Sequence, residues 1–142
     1  MVEKDTYTMN EFETKLKEDL KFMDYYVSLY ASALTGKRIE KLMDLVNEVY
    51  EKSSYRISTG NLNEIMQNAI LTNEPPTQNG RRLKIKYITQ GGTNPPTFII
   101  FVNNKELMHF SYLRYLENSI RKAVDFKGTP IKLFVKDGKE KE

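Results

Sequence analysis

Met9, Phe12, Leu16 and Leu20 fall on one stripe at three- and four-residue spacing, with lysines and carboxylates between them. That pattern predicts an amphipathic helix, and the capping-box spacing of Thr8-Met9-Asn10-Glu11 puts its start at Thr8. The aromatic and β-branched run at residues 25–31, Tyr-Tyr-Val-Ser-Leu-Tyr-Ala, predicts a short strand. A turn at Thr35-Gly36 leads to a second helix with Ile39, Leu42, Met43, Val46, Val49 and Tyr50 on one face. One strand cannot cover two apolar helix faces and is not stable alone. Residues 1–55 are therefore expected to be the closing piece of a larger α/β sheet, or else a helical pair packed on the second half of the chain.

The rest of the chain reads α-β-β-α-β. A polar joint at residues 53–59 ends at Thr59, a plausible N-cap, and Leu62, Ile65, Met66, Ala69 and Ile70 form the inward face of a helix that stops before Pro75-Pro76. Asn79-Gly80 turns the chain into a strand at residues 83–88. Strict alternation there places Leu83, Ile85 and Tyr87 on the core side and Lys84 and Lys86 on the other. After the breaker-rich loop 91–96, residues 97–102 are apolar on both faces and predict a central strand. Ser111 is placed to cap a helix bearing Leu113, Leu116, Ile120 and Val124, and Gly128-Thr129-Pro130 introduces a last strand at 131–135. The predicted class is α+β, a three-stranded sheet with helices on one face, preceded by a helix-strand-helix segment.

Charge divides the chain in the same place. Residues 1–55 carry 8 Lys/Arg against 11 Asp/Glu, and residues 56–142 carry 14 against 8. Two modules with different partners are implied, the second being the candidate for a polyanion. There is no cysteine and a single histidine, His109, which removes disulfides, thiolate catalysis and cysteine- or histidine-rich metal sites and fits a reducing cytoplasm. No apolar run reaches membrane-spanning length, and the polar, acidic start carries no secretory h-region.

Several ordered runs carry a resemblance: Gly80-Arg81-Arg82-Leu83-Lys84-Ile85, Thr89-Gln90, Pro95-Pro96-Thr97-Phe98, Phe101-Val102-Asn103, Phe110-Ser111-Tyr112-Leu113-Arg114-Tyr115-Leu116-Glu117-Asn118 and Gly128-Thr129-Pro130-Ile131. Together they resemble the C-terminal signature of the bacterial ribosome-biogenesis GTPase family Der, also called EngA. The resemblance implies a KH-like domain at residues 56–142 and, at 1–55, the tail of a second P-loop GTPase domain that begins just beyond its Asn-Lys-Trp-Asp motif. Ser32-Ala33-Leu34 is similar to the guanine-contacting motif of such domains. The family further implies assembly of the large ribosomal subunit, with GTP and Mg2+ used by the intact protein.

The sequence holds no Gly-x4-Gly-Lys-Ser/Thr run, so no phosphate cradle, catalytic residue, metal ligand or cofactor of its own is expected in this chain. Asn104-Lys105-Glu106-Leu107 imitates a guanine-specificity motif, but leucine stands where aspartate is required, and it reads as a polar turn. His109 has no nucleophile or carboxylate motif around it and reads as structural. Two functional readings stay open. In the first, Arg81, Arg82, Lys84 and Lys86, widened by Arg121, Lys122 and Lys132, contact ribosomal RNA through its backbone and shape. No Gly-x-x-Gly loop exists to clamp a single strand in the usual KH manner. In the second, Phe110, Tyr112 and Tyr115 dock the GTPase domains and report their nucleotide state. An unpaired strand near Tyr26 is also expected to favour self-association.

Overall fold

The computed structural model describes residues 6–32 and 34–138. Its elements run α1 (Thr6–Asp19), α2 (Ile39–Ser53), α3 (Thr59–Thr72), β1 (Thr77–Gln78), β2 (Arg81–Arg82), β3 (Ile85–Gly92), β4 (Thr97–Val102), a 3-10 turn (Lys105–Leu107), α4 (Phe110–Ala123) and β5 (Lys132–Asp137). The sheet order is β3-β4-β5, with β3 antiparallel and β5 parallel to the central β4. Phe98, Ile100 and Val102 of β4 face one way and are fully buried under Leu62, Met66, Leu116 and Ile120 of α3 and α4. The expected α+β sandwich, with helices on one face of a three-stranded sheet, is what forms.

Every buried apolar residue among those described lies at or beyond Ile57. On α1, Met9, Leu16 and Leu20 are only half-buried and Phe12 is exposed; on α2, Leu42, Met43, Val46 and Tyr50 are all exposed. Residues 26–32 form neither helix nor strand, which corrects the strand in the helix-strand-helix expectation. An extended segment becomes a strand only when a neighbour offers a ladder, and the described residues supply none there.

Local signals were displaced by one or two residues. The described part of α1 already includes Thr6, so Thr8 lies inside the helix rather than at its cap. Ser58, not Thr59, caps α3, its hydroxyl accepting from Asn61 N at 3.3 Å. His109 occupies the N-cap position of α4 without a side-chain cap, and Ser111 lies within the helix. Asn79 and Gly80 (φ 50° and 77°) make the tight turn of the β1–β2 ribbon, as an Asn-Gly pair with two positive φ angles does. The last strand starts and ends later than expected, at Lys132 and Asp137.

The largest departure is in β3. Ile85 pairs with Val102 but Tyr87 pairs with Phe101, so one extra residue, Lys86, is accommodated in a bulge. Alternation reverses beyond it: Ile88 and Gln90 turn to the core, and Tyr87, expected inside, is 40% exposed on the opposite face.

Candidate nucleic-acid interface

α3 and α4 cover one face of the sheet, and no helix or strand among the described residues covers the other. Its outward positions are Tyr87 and Thr89 of β3, Thr97, Ile99 and Phe101 of β4, and Lys132, Phe134 and Lys136 of β5. Tyr87 and Phe101 stack with ring centroids 4.4 Å apart and planes inclined by 20°. In the register across the strands, Lys136 lies beside Phe101 and Phe134 beside Ile99. Phe134 is 51% exposed.

The expected cations separate into groups. Lys84 and Lys86 are exposed where β3 begins, and Lys86 Nζ donates to the carbonyl of Gly138 at 3.0 Å, which draws it over the end of β5 toward Lys136. Arg81 and Arg82 sit on the separate β2 ribbon; Arg82 is 3.3 Å from Glu74, while Arg81 is exposed. Lys132 lies at the opposite end of β5 and Lys122 in the last turn of α4, both exposed. Arg81, Lys84, Lys86, Lys122, Lys132 and Lys136 have no ion pair among the described residues.

Arg121 does not join them. Its guanidinium donates to the carbonyls of Phe126 (3.3 Å) and Thr129 (3.1 Å) and lies 4.3 Å over the ring of Tyr25. Burial lowers its pKa despite the neighbouring Glu117 carboxylate, whose own pKa burial raises. Arg121 thus belongs to a joint between the two halves of the chain. There the Gly128 N–H donates to Tyr25 O at 2.6 Å, and Lys52 bridges Glu48 (2.8 Å) and Asp125 (2.9 Å). The hydrogen bond from Lys52 holds the Asp125 carboxyl below its ordinary range. Ser53 and Ser54 both donate to Asn94 Oδ1 at 2.9 Å. Buried Gln90 fastens the connecting strip, accepting from Ile57 N (2.7 Å) and donating to the carbonyls of Tyr55 (3.0 Å) and Gly92 (3.1 Å).

Of the three aromatics expected at a docking surface, only Phe110 is exposed, at 72%, with the Arg114 guanidinium 4.8 Å above its ring. Tyr112 and Tyr115 instead tie α4 to α3, their hydroxyls donating to the carbonyls of Asn73 (2.9 Å) and Ala69 (2.7 Å). Burial pushes the Tyr112 phenol up to about 12. His109 is exposed. Asn104-Lys105-Glu106-Leu107 is a polar turn, with the Asn104 side chain accepting from Glu106 N at 3.0 Å.

The guanine-contact segment is only partly described. Ala33 lies outside the described residues, Ser32 Oγ accepts from Thr35 N at 3.3 Å, and Leu34 is 87% exposed. The sequence holds no Gly-x4-Gly-Lys-Ser/Thr run, and among the described residues no group of three or more His, Cys, Asp or Glu side chains is placed to hold a metal. No helix among the described residues is long and apolar enough to cross a membrane.

Tyr87, Phe101, Phe134 and Lys136 are not among the candidate site residues that the sequence analysis names. Phe101 was legible, since a strand apolar on both faces must bare one of them where helices cover only one side. Tyr87 was not, because the bulge that turns it outward leaves no mark in the alternation.

Comparison with known proteins places this geometry. Residues 56–136 match the family described as the C-terminal KH-domain-like region of EngA bacterial GTPase enzymes. The chain is 51% identical over 142 residues to the GTPase Der of Desulforamulus reducens, covering all of this chain and 32% of that protein. It is 54% identical, with the same coverage, to the GTPase Der of Pelotomaculum thermopropionicum. With the GTPase Der of Leuconostoc citreum the identity is 51% over 135 residues, 95% of this chain and 31% of that protein. The chain therefore spans about a third of the length of the relatives it matches.

Proposed function

The chain belongs to the EngA (Der) family of bacterial GTPases, of which it carries the KH-like C-terminal region, and from that premise we propose that it is the RNA-contacting end of a GTPase acting in the cytoplasm on assembly of the large ribosomal subunit. The observation that carries this reading is a set of exposed, ion-pair-free cations, Arg81, Lys84, Lys86, Lys122, Lys132 and Lys136, on the half of the chain in which 14 Lys/Arg outnumber 8 Asp/Glu. Cations without acidic partners are available to phosphates, and neutralising phosphates releases counterions. Contact through backbone and shape suits a KH-like domain whose sequence offers no Gly-x-x-Gly clamp.

The test is binding of the chain to purified ribosomal RNA across a salt series, beside a variant reversing charge at Arg81, Lys84 and Lys86. Affinity is expected to fall by about 0.7 to 0.9 log units per log salt for each phosphate contact, and the variant to lose most of it. Equal binding by parent and variant would assign these cations to a merely solvated surface.

A second role coexists with the first. The exposed apolar stripe of α2 supports residues 1–55 as the closing layer of a GTPase domain whose sheet lies elsewhere in the longer protein. The joint through Arg121, Gly128 and Gln90 would then carry that domain's nucleotide state to the KH-like domain. GTP hydrolysis belongs, in this reading, to the part of the protein that holds the phosphate-binding loop.

A further inference from the structure

The sheet face opposite α3 and α4 has a composition that a merely solvated surface does not need. Three aromatic rings stand on it, and its outward positions on β3, β4 and β5 include no carboxylate. Native sheets protect an open face or edge with charge; here lysines flank the rings instead of replacing them. Tyr87 and Phe101 already form a two-ring column at 4.4 Å. β3 is an edge strand, so the side of Tyr87 away from Phe101 has no further strand beside it. A flat ring sliding in there continues the column. Phe134, one row further along the sheet, offers a third ring.

We infer that this face, centred on Tyr87, Phe101 and Phe134, is a stacking surface for the bases of single-stranded RNA, with Lys86 and Lys136 at one end and Lys132 at the other engaging its phosphates. The inference rests on the RNA reading above and narrows it, from phosphate contact in general to unpaired nucleotides. Aromatic side chains flanked by cations are the means by which single strands are bound with little sequence preference, because every base has a π-face. A duplex keeps its bases stacked on one another and gains nothing from the rings. A protein partner is the less suited occupant, since lysine is depleted from interface cores and three of the outward or adjoining positions are lysine.

The edge of β3 is also prevented from recruiting another strand. Asn63 Oδ1 accepts from Ile88 N at 3.0 Å while its Nδ2 donates to Ile88 O at 3.1 Å. One side-chain amide thus occupies the backbone donor and acceptor that a docking strand would use. What the edge leaves available is the ring of Tyr87, not a ladder.

Two measurements test this. In the first, a labelled ten-nucleotide oligouridine and a duplex of equal length are titrated with the chain and with Tyr87→Leu, Phe101→Leu and Phe134→Leu. Leucine keeps an apolar side chain and removes the π-face; circular dichroism checks that each variant is folded. Each substitution is expected to weaken single-strand binding about tenfold, leaving the salt slope and duplex binding unchanged. In the second, the unmodified chain is photocrosslinked to an oligonucleotide carrying 5-iodouridine, and crosslinks are expected at Tyr87, Phe101 or Phe134. Leucine variants that bind the single strand as well as the parent, or crosslinks confined to the Arg81–Lys84 region, would overturn the stacking surface while leaving phosphate contact intact. Absence of RNA binding by the parent would overturn both, and would point to a protein segment as the occupant of the face.

Discussion

Gly128 is the position at which one added methyl group tests the joint between the two halves. Its φ is +83°, and a Cβ built there falls 2.6 Å from Val49 Cγ2, 3.0 Å from Val27 Cγ2 and 3.3 Å from Val49 Cγ1. The left-handed backbone alone costs a non-glycine residue about 1 to 2 kcal/mol. Overpacking of this kind adds about 1 to 3 kcal/mol, and reduced freedom of the unfolded chain returns about 0.5 kcal/mol. Gly128→Ala is therefore expected to destabilise by about 3 kcal/mol, read from urea unfolding followed by circular dichroism. Because the Gly128 N–H donates to Tyr25 O at 2.6 Å, faster hydrogen exchange at that amide should accompany the loss. Two of the three close atoms belong to Val49, so Gly128→Ala with Val49→Ala should cost less than the sum of the single changes, by about 1 kcal/mol or more. A cost for Gly128→Ala below about 0.5 kcal/mol, or strict additivity with Val49→Ala, would refute the close approach as the reason for glycine here.

Two other changes probe the interior. Gln90→Ala removes the acceptor of the buried Ile57 N–H and two donated bonds, and an orphaned buried donor together with the lost bonds costs about 3 kcal/mol. The urea midpoint should fall accordingly; an unchanged midpoint in the alanine variant would show that the strip at 55–57 is held by other means. For Tyr112, burial raises the phenol from 10.0 to about 12, so the folded state holds this proton more tightly than the unfolded chain. Its stabilisation is intact below pH 10 and is lost as pH rises toward 12. Tyr112→Phe should lower stability near neutrality by about 1 kcal/mol through the missing bond to Asn73 O, yet flatten the alkaline decline, and identical alkaline slopes for the two proteins would contradict this.

The helices at 59–72 and 110–123, the central strand and the ribbon turn at Asn79-Gly80 were all legible in the chain, because each depends on spacing between near neighbours. Caps were less so. Thr59 and Ser111 carry the right chemistry, but the neighbouring Ser58 and His109 take the cap positions, since packing of the helix fixes which residue stands at its first turn. The cations were visible as a group, yet their roles were not. Arg121 has the same composition signal as Lys122, and only the Phe126 and Thr129 carbonyls and the Tyr25 ring distinguish an internal strut from a surface charge.

Local pattern and the ordered runs of residues at 80–131 thus determined the family, the α+β class and the charge division by themselves, because they are properties of the chain read along its length. The tertiary structure decided what no one-dimensional pattern contains. A bulge at Lys86 reverses the alternation and turns Tyr87 to the open face. Residues 26–32 stay unpaired because strand formation is a two-body event whose second body is not among the described residues. Whether an aromatic or an arginine faces solvent likewise depends on what the fold places opposite it, and that is a relation between residues far apart in sequence.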